Sequence, residues 1–140
     1  MNASPSWFKA VSVLALLWNL LGCLAFAADL RLTPDDLAKL PEAQQTLYAA
    51  RPAWALAATA AAVLGGALGC LGLLFGKRWA QAVLWLSLLG IVAQDIGLFV
   101  LADGIRLAGP FAVVMQSIVL LVGIALVALA RRAAAKGWLA

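Results

Sequence analysis

The residues of this chain best suited to chemistry sit inside an apolar run, where polar groups are costly. Ala80 to Leu101 reads A-Q-A-V-L-W-L-S-L-L-G-I-V-A-Q-D-I-G-L-F-V-L, with Gln94 and Asp95 side by side in its second half. A carboxylate deep in a membrane span costs about 2.5–3.5 kcal/mol on the insertion scale, while each Leu, Ile, Val or Phe contributes about −0.3 to −0.6, so the run still inserts. An ionisable side chain kept there points to function. Asn19 and Gln116 interrupt two other apolar runs. Asn19, Gln94, Asp95 and Gln116 therefore form a candidate polar layer for a solute or a proton. The amides suit hydrogen bonding to a small polar solute, and Asp95 suits a proton or cation.

Other chemistries find no residues to carry them. The chain has no histidine, which removes imidazole catalysis and the usual zinc sites. No nucleophile–base pair, phosphate-binding glycine loop or metal-ligand cluster is present, so no enzyme, no cofactor and no metal is expected. Cys23 and Cys70 fall roughly 8 Å and 25 Å below the same face at helical rise. A disulfide needs Cα atoms within about 7 Å, so the two thiols are expected to stay free.

The elements that hold these residues follow from composition. Of 140 residues, 66% are hydrophobic and 11% charged, with a mean hydropathy of +1.03. Soluble domains run at about 45–50% apolar and about 25% charged. The chain reads as one all-α membrane domain, an antiparallel bundle of four transmembrane helices. The spans are expected at about 7–28, 53–75, 80–101 and 110–130, each long enough to cross about 30 Å of hydrocarbon. A short helical extracytoplasmic loop, 29–52, separates the first two. Within it Thr33-Pro34-Asp35-Asp36 is a helix start, with a capping hydroxyl, proline at the first position and acids at the positive end of the dipole. Pro41 opens a second short helix and Pro52 closes it, leaving Leu37, Leu40, Leu47 and Tyr48 to face the membrane or the bundle mouth.

The first span also carries two processing signals. Ala25-Phe26-Ala27 has the form of a signal-peptidase site, and Leu20-Leu21-Gly22-Cys23 that of a lipobox. The run is longer than a secretory apolar core and Asn19 interrupts it, so a retained span is expected.

Each span bears one stripe of small or polar residues at three-and-four spacing: Ser12, Ala15, Asn19 and Gly22; then Ala58, Ala62, Gly65, Gly69, Gly72 and Gly76; then Ser87, Gly90, Gln94 and Gly97; then Ala112, Gln116 and Gly123. Such stripes let helices approach closely, and Gly65, Gly69 and Gly72 are the strongest packing signal. Any exposed part of that glycine stripe is a candidate homo-oligomer interface. Counted from the outer ends, Thr59, Asp95 and Gln116 lie roughly 9 Å deep and Asn19 roughly 14 Å. Polar residues of all four spans thus converge near one level. Asp95 is about 100° round the helix from Gln94, on the flank of its stripe.

Charge sets the orientation. Lys9, Lys77, Arg78, Arg131, Arg132 and Lys136 fall on one side of the four-span topology with no acid among them. Asp29, Asp35, Asp36, Glu42 and Asp103 fall on the other, mixed with Arg31, Lys39, Arg51 and Arg106. The positive-inside rule places both termini in the cytoplasm. The aromatic belts agree, with Trp7, Phe75, Trp79 and Trp138 at one interface and Tyr48, Trp54, Phe99 and Phe111 at the other. The net charge of +4 is a topology signal, and the expected partner is the lipid bilayer, not nucleic acid.

Trp7-Phe8, Leu16-Leu17-Trp18-Asn19-Leu20-Leu21-Gly22, Leu40-Pro41-Glu42, Leu47-Tyr48 with Pro52 and Trp54, Gly66 with Leu68-Gly69-Cys70, and Lys136-Gly137-Trp138-Leu139 carry a resemblance over nearly the whole chain. It resembles an uncharacterised family of small bacterial four-helix inner-membrane proteins, often labelled sugar-transporter-like. That resemblance implies a bacterial inner-membrane setting and a sugar as the solute; it supplies no mechanism and no role for Asp95. Two functions stay open. One is transport or sensing of a small polar solute, or assistance to a transporter, with a homo-oligomer completing the path. The other is a structural or accessory membrane protein without a ligand, its polar layer serving helix packing and Asp95 protonated or paired to Arg106.

Overall fold

A computed structural model describes residues 3–101 and 104–140, and the side chains of 101, 104, 105, 107 and 108 lie outside it. Asp103, assigned above to the outer side, falls outside the described residues. The chain is helical throughout, with no strand among those residues. Four helices are long and apolar enough to cross a membrane: Ser6–Leu30, Ala53–Leu74, Ala80–Val100 and Gly109–Ala135.

The elements are α1 (Ser6–Leu30), α2 (Pro34–Ala38), α3 (Glu42–Ala50), α4 (Ala53–Leu74), α5 (Ala80–Asp95) and α6 (Gly104–Ala135). All five prolines stand at or next to helix starts. Pro5, Pro41 and Pro52 cap α1, α3 and α4, and Pro34 opens α2. Pro110 follows a break in α6 at Gly109, whose φ of 83° lies where side chains clash. A missing N–H costs nothing at a first turn, so proline punctuates here without kinking a span. Thr33 and Asp36 complete a capping box on α2, each side chain bonded to the other's backbone N–H.

The third span departs from expectation. Regular α-helix ends at Asp95, and Ile96–Leu101 continues as a π-helix. The wider winding shifts the face that Phe99 and its neighbours present relative to α-helical counting. The fourth span also runs past residue 130, to Ala135.

α4 is the central helix, packed on α1 along one side and α5 along the other, while α5 packs on α6. Half of α4's most apolar stretch is buried, against 6% of α1's. The glycine stripe explains that position. A Cβ on Gly69 would lie 2.5 Å from Leu84 Cδ2, and one on Gly72 would lie 2.8 Å from Ala80 Cβ. A Cβ on Gly65 would lie 3.3 Å from the Ser87 Cα. Gly65, Gly69, Gly72 and Gly76 are all buried inside the chain. No part of the Gly65–Gly76 stripe is left exposed, and α5 of the same chain fills it at Gly65, Gly69 and Gly72.

One end of the molecule is drawn together tightly. Phe8, Cys70, Leu73, Leu84, Leu126, Ala130 and Leu139 belong to one buried cluster. Trp7 and Phe8 meet Trp138 edge-on or tilted, at 5.7 Å and 5.2 Å between ring centres. Gly76 and Gly137, at φ 66° and 77°, close α4 and α6 with six-to-one bonds, Lys77 N–H to Gly72 O and Trp138 N–H to Ala133 O. The tail then pairs with the α4–α5 turn: Ala140 N–H donates to Gly76 O at 2.7 Å and Arg78 N–H to Ala140 O at 2.9 Å. This is the basic end, where Arg132 lies over the Trp7 ring.

At the opposite, loop end, α3 packs against α6. Leu37, Leu40, Leu47 and Tyr48 are half-buried there, and the rest of α2 and α3 is exposed. Elsewhere the span surfaces are apolar and open, with Leu14, Leu24, Leu64, Leu89, Val100 and Leu121 all exposed. Such surfaces are what lipid-facing helices require.

Candidate functional site

α1 and α6 meet at the basic end around Phe8, whereas the closely packed neighbours along the bundle are α1 with α4, α4 with α5 and α5 with α6. The space left between them, backed by α4 and α5, is a cavity of about 530 Å³. Its polar lining comes from Asn19 and Asp29 of α1, Thr59 of α4, Ser87 and Gln94 of α5, and Gln116 of α6. The remaining wall is apolar.

A hydrogen-bonded relay crosses three spans on this wall. The single Thr59 hydroxyl proton is shared between Gln94 Oε1 at 2.8 Å and Ala55 O at 3.0 Å, and Gln94 Nε2 donates to Gln116 Oε1 at 3.3 Å. Gln94 can reach both neighbours because α5 lies between α4 and α6. Among the described residues Gln116 Nε2 makes no bond, so the relay ends on a spare donor beside the cavity. Ser87 Oγ donates to Ala62 O at 2.6 Å, which helps to hold α5 on α4.

Asn19 stands apart from the relay. Its Nδ2 donates to Ala15 O at 2.8 Å and reaches Cys70 Sγ at 3.7 Å. Its Oδ1 lies against Gly66, where an added Cβ would sit 1.9 Å away. Gly66 is thus the notch that admits the amide. Cys70 and Cys23 are both free thiols.

Asp95 does not line the cavity. Gln94 takes the inward position, and one residue of helical rotation turns the carboxylate away from it. Asp95 Oδ1 is buried without a hydrogen-bond partner among the described residues, so neither Arg106 nor a neighbouring span satisfies that atom. The structure brings Gln94 and Gln116 into contact, sets Asn19 on the same cavity at another contact, and leaves Asp95 outside. Among the described residues no three His, Cys, Asp or Glu side chains gather as a metal site would need.

The loop end adds a cluster that the sequence reading did not single out. Asp29, in the last turn of α1, accepts from Tyr48 Oη at 2.5 Å and from Arg51 Nη1 at 3.0 Å. The Arg51 guanidinium also lies 5.0 Å from the Tyr48 ring centre. Burial, aided by the bond to Asp29 and its charge, pushes the Tyr48 phenol up to about 12. Asp29 lines both the intramembrane cavity and a second hollow under α2 and α3. The cluster therefore ties the end of α3 to the end of α1 at the cavity's mouth. Only the mixed charge of the loop hinted at it. No family model, curated protein or solved structure matches the chain.

Proposed function

We propose that this chain is a multi-pass protein of the bacterial inner membrane that takes a small uncharged solute into the cavity between its spans. That binding would be the first step of transport or sensing, or of assisting a transporter. In this reading the four apolar helices form an antiparallel bundle with both termini cytoplasmic and the loop extracytoplasmic. The meeting of Trp7, the α4–α5 turn and the tail at the basic end supports that arrangement. A sugar is the solute that the family resemblance implies.

The observation that carries the reading is the cavity itself, walled by all four spans, with the Thr59–Gln94–Gln116 relay in its lining. Its volume lies within the roughly 300–1,000 Å³ of small-molecule sites, which combine apolar walls with a few placed polar groups. Gln94 and Gln116 are the contacts we assign to the solute, with Asn19 holding α1 on α4. Asp95 is left without a part in binding.

Direct binding of uncharged solutes to the purified protein, compared with a Gln94→Leu variant, tests this. Saturable binding weakened by the substitution is expected. Absence of any saturable ligand for the cavity would refute the proposal. One observation favours the accessory reading, in which no ligand binds: both ends of the Gln94 amide are already spent within the chain. On that reading Gln94→Leu loosens the helices and changes no binding.

A further inference from the structure

The cavity's shape and lining say more about its occupant than that it is small and uncharged. α1 packs closely along α4 and makes little close contact with α6 beyond the basic end, so the cavity has a side that faces the bilayer. On the α1 bank Leu21 lines it while 64% exposed, and on the α6 bank Met115 lines it while 37% exposed. A side chain that both lines the cavity and lies open to the exterior marks an edge of the opening. Between these banks the depth of the cavity is apolar, with Trp18, Val119, Val122 and Leu126 in its wall. The hydrogen-bonding groups form a patch, with Gln116 Nε2 as its spare donor.

Charge narrows the class further. Among the described residues no Lys or Arg lines the cavity, so an anionic group would find no cationic partner there. Its one carboxylate, Asp29, is already engaged by Arg51 and Tyr48. Burying an unpaired charge of either sign is strongly unfavourable.

We propose that the cavity loads sideways from the lipid phase, through the gap between α1 and α6. Its occupant is then a neutral amphiphile, with a hydroxyl- or carbonyl-bearing head at Gln116 and a hydrocarbon body along Trp18, Val119 and Val122. This rests on the cavity being a ligand site and specifies which ligands enter it and from where. A hydrocarbon body fills the apolar wall that a free sugar would leave unsatisfied, and entry from the bilayer spares the head a passage under α3.

The probe is an alkyl glucoside with a photoreactive diazirine in its chain, added to the full chain reconstituted in phosphatidylcholine nanodiscs. Labelled residues are mapped by mass spectrometry. Saturable labelling of both banks, around Trp18 and Leu21 on α1 and around Met115 and Val119 on α6, is expected. Excess unlabelled alkyl glucoside should abolish it, and free glucose should not. Alkyl sulfate and alkyltrimethylammonium should compete roughly tenfold less well or worse. Gln116→Leu removes the spare donor and should weaken capture by roughly fivefold to tenfold. Ala25→Trp, on an exposed lining position of α1, fills the cavity without entering the packed core and should abolish capture. Far-ultraviolet circular dichroism checks that both variants keep their helices. Full competition by glucose at the concentration of the amphiphile would overturn the lipid route while leaving a solute site intact. Saturable labelling untouched by either substitution, or equal competition by the charged analogues, would also overturn it. Loss of all saturable binding, by glucoside and glucose alike, would remove the solute reading together with this one.

Discussion

Gly90→Ala offers the sharpest test of how α5 is held, because its new methyl group would meet backbone. A Cβ at Gly90 would lie 2.6 Å from Ala58 O and 2.8 Å from Ala62 N, atoms that no rotamer change can move. An ordinary carbon–oxygen approach is about 3.3–3.6 Å, so α5 must retreat from α4 by about 0.7 Å or more. Retreat strains the two bonds that cross the same interface, Ser87 to Ala62 O at 2.6 Å and Thr59 to Gln94 at 2.8 Å. Overpacking costs about 1–3 kcal/mol, and interhelical polar contacts average about 0.6 kcal/mol each. Alanine's better helix propensity returns up to about 1 kcal/mol. The net expectation is a loss of about 1–3 kcal/mol. Gly22→Ala is the matched control, since its Cβ would touch only the Val63 side chain, at 3.2 Å. It should be neutral or stabilising by up to about 1 kcal/mol. Equilibrium unfolding in mixed micelles, followed by circular dichroism, reads both. If Gly90→Ala proves as stable as Gly22→Ala, the helices do not approach as described.

Thr59→Val should cost about 0.6 kcal/mol, because it removes one bond of the relay and keeps the shape of the side chain; the same unfolding assay measures it. Asp29→Asn should release the end of α3, with a loss of about 1–2 kcal/mol for a half-buried charged pair, seen as faster amide exchange across 42–50. The Tyr48 phenol titrates higher in the folded chain, so the stability it lends is complete below its ordinary value near 10. That stability should fall away as pH rises towards about 12, following the linkage sign for a raised pKa; Tyr48→Phe should flatten the alkaline limb of an unfolding-versus-pH curve. The Asp36 carboxyl is held below its usual range by bonds to Thr33. Protonation in acid, below that lowered value, should therefore fray α2 before any span responds, and Asp36→Asn should abolish the acid-induced change seen by amide exchange at 35–38.

The four long apolar helices were legible because length and composition alone determine them, and the glycine stripe of α4 was legible as a close-packing face. Which neighbour fills that stripe was not, since α5 and a second copy of the chain present the same kind of surface. Helical counting placed Asp95 on the flank of its stripe and Gln94 at the centre, and Gln94 is the residue that spans two neighbours. The same counting could not foresee the π-helical winding after Asp95, because I-G-L-F-V-L carries no residue that distinguishes it from an ordinary turn. The cavity was hidden for a different reason. It exists because α1 and α6 diverge, a relation between elements some ninety positions apart, on which local spacing is silent. Asp29, Tyr48 and Arg51 were hidden likewise, since each reads as an ordinary loop residue until the chain doubles back.

The pairing of the tail with the α4–α5 turn bears on how the molecule could move. With Trp138 wedged against Trp7 and Phe8 and Ala140 stitched to Gly76, the basic end acts as a fulcrum for the first and last spans. Any parting of those two helices must then be a tilt about that point, small near Phe8 and growing with distance towards Asp29. A distance reporter placed near the fulcrum would stay silent while one at the far rim swings. Displacement along the cavity is graded by leverage, with the salt bridge at Asp29 acting as its brake.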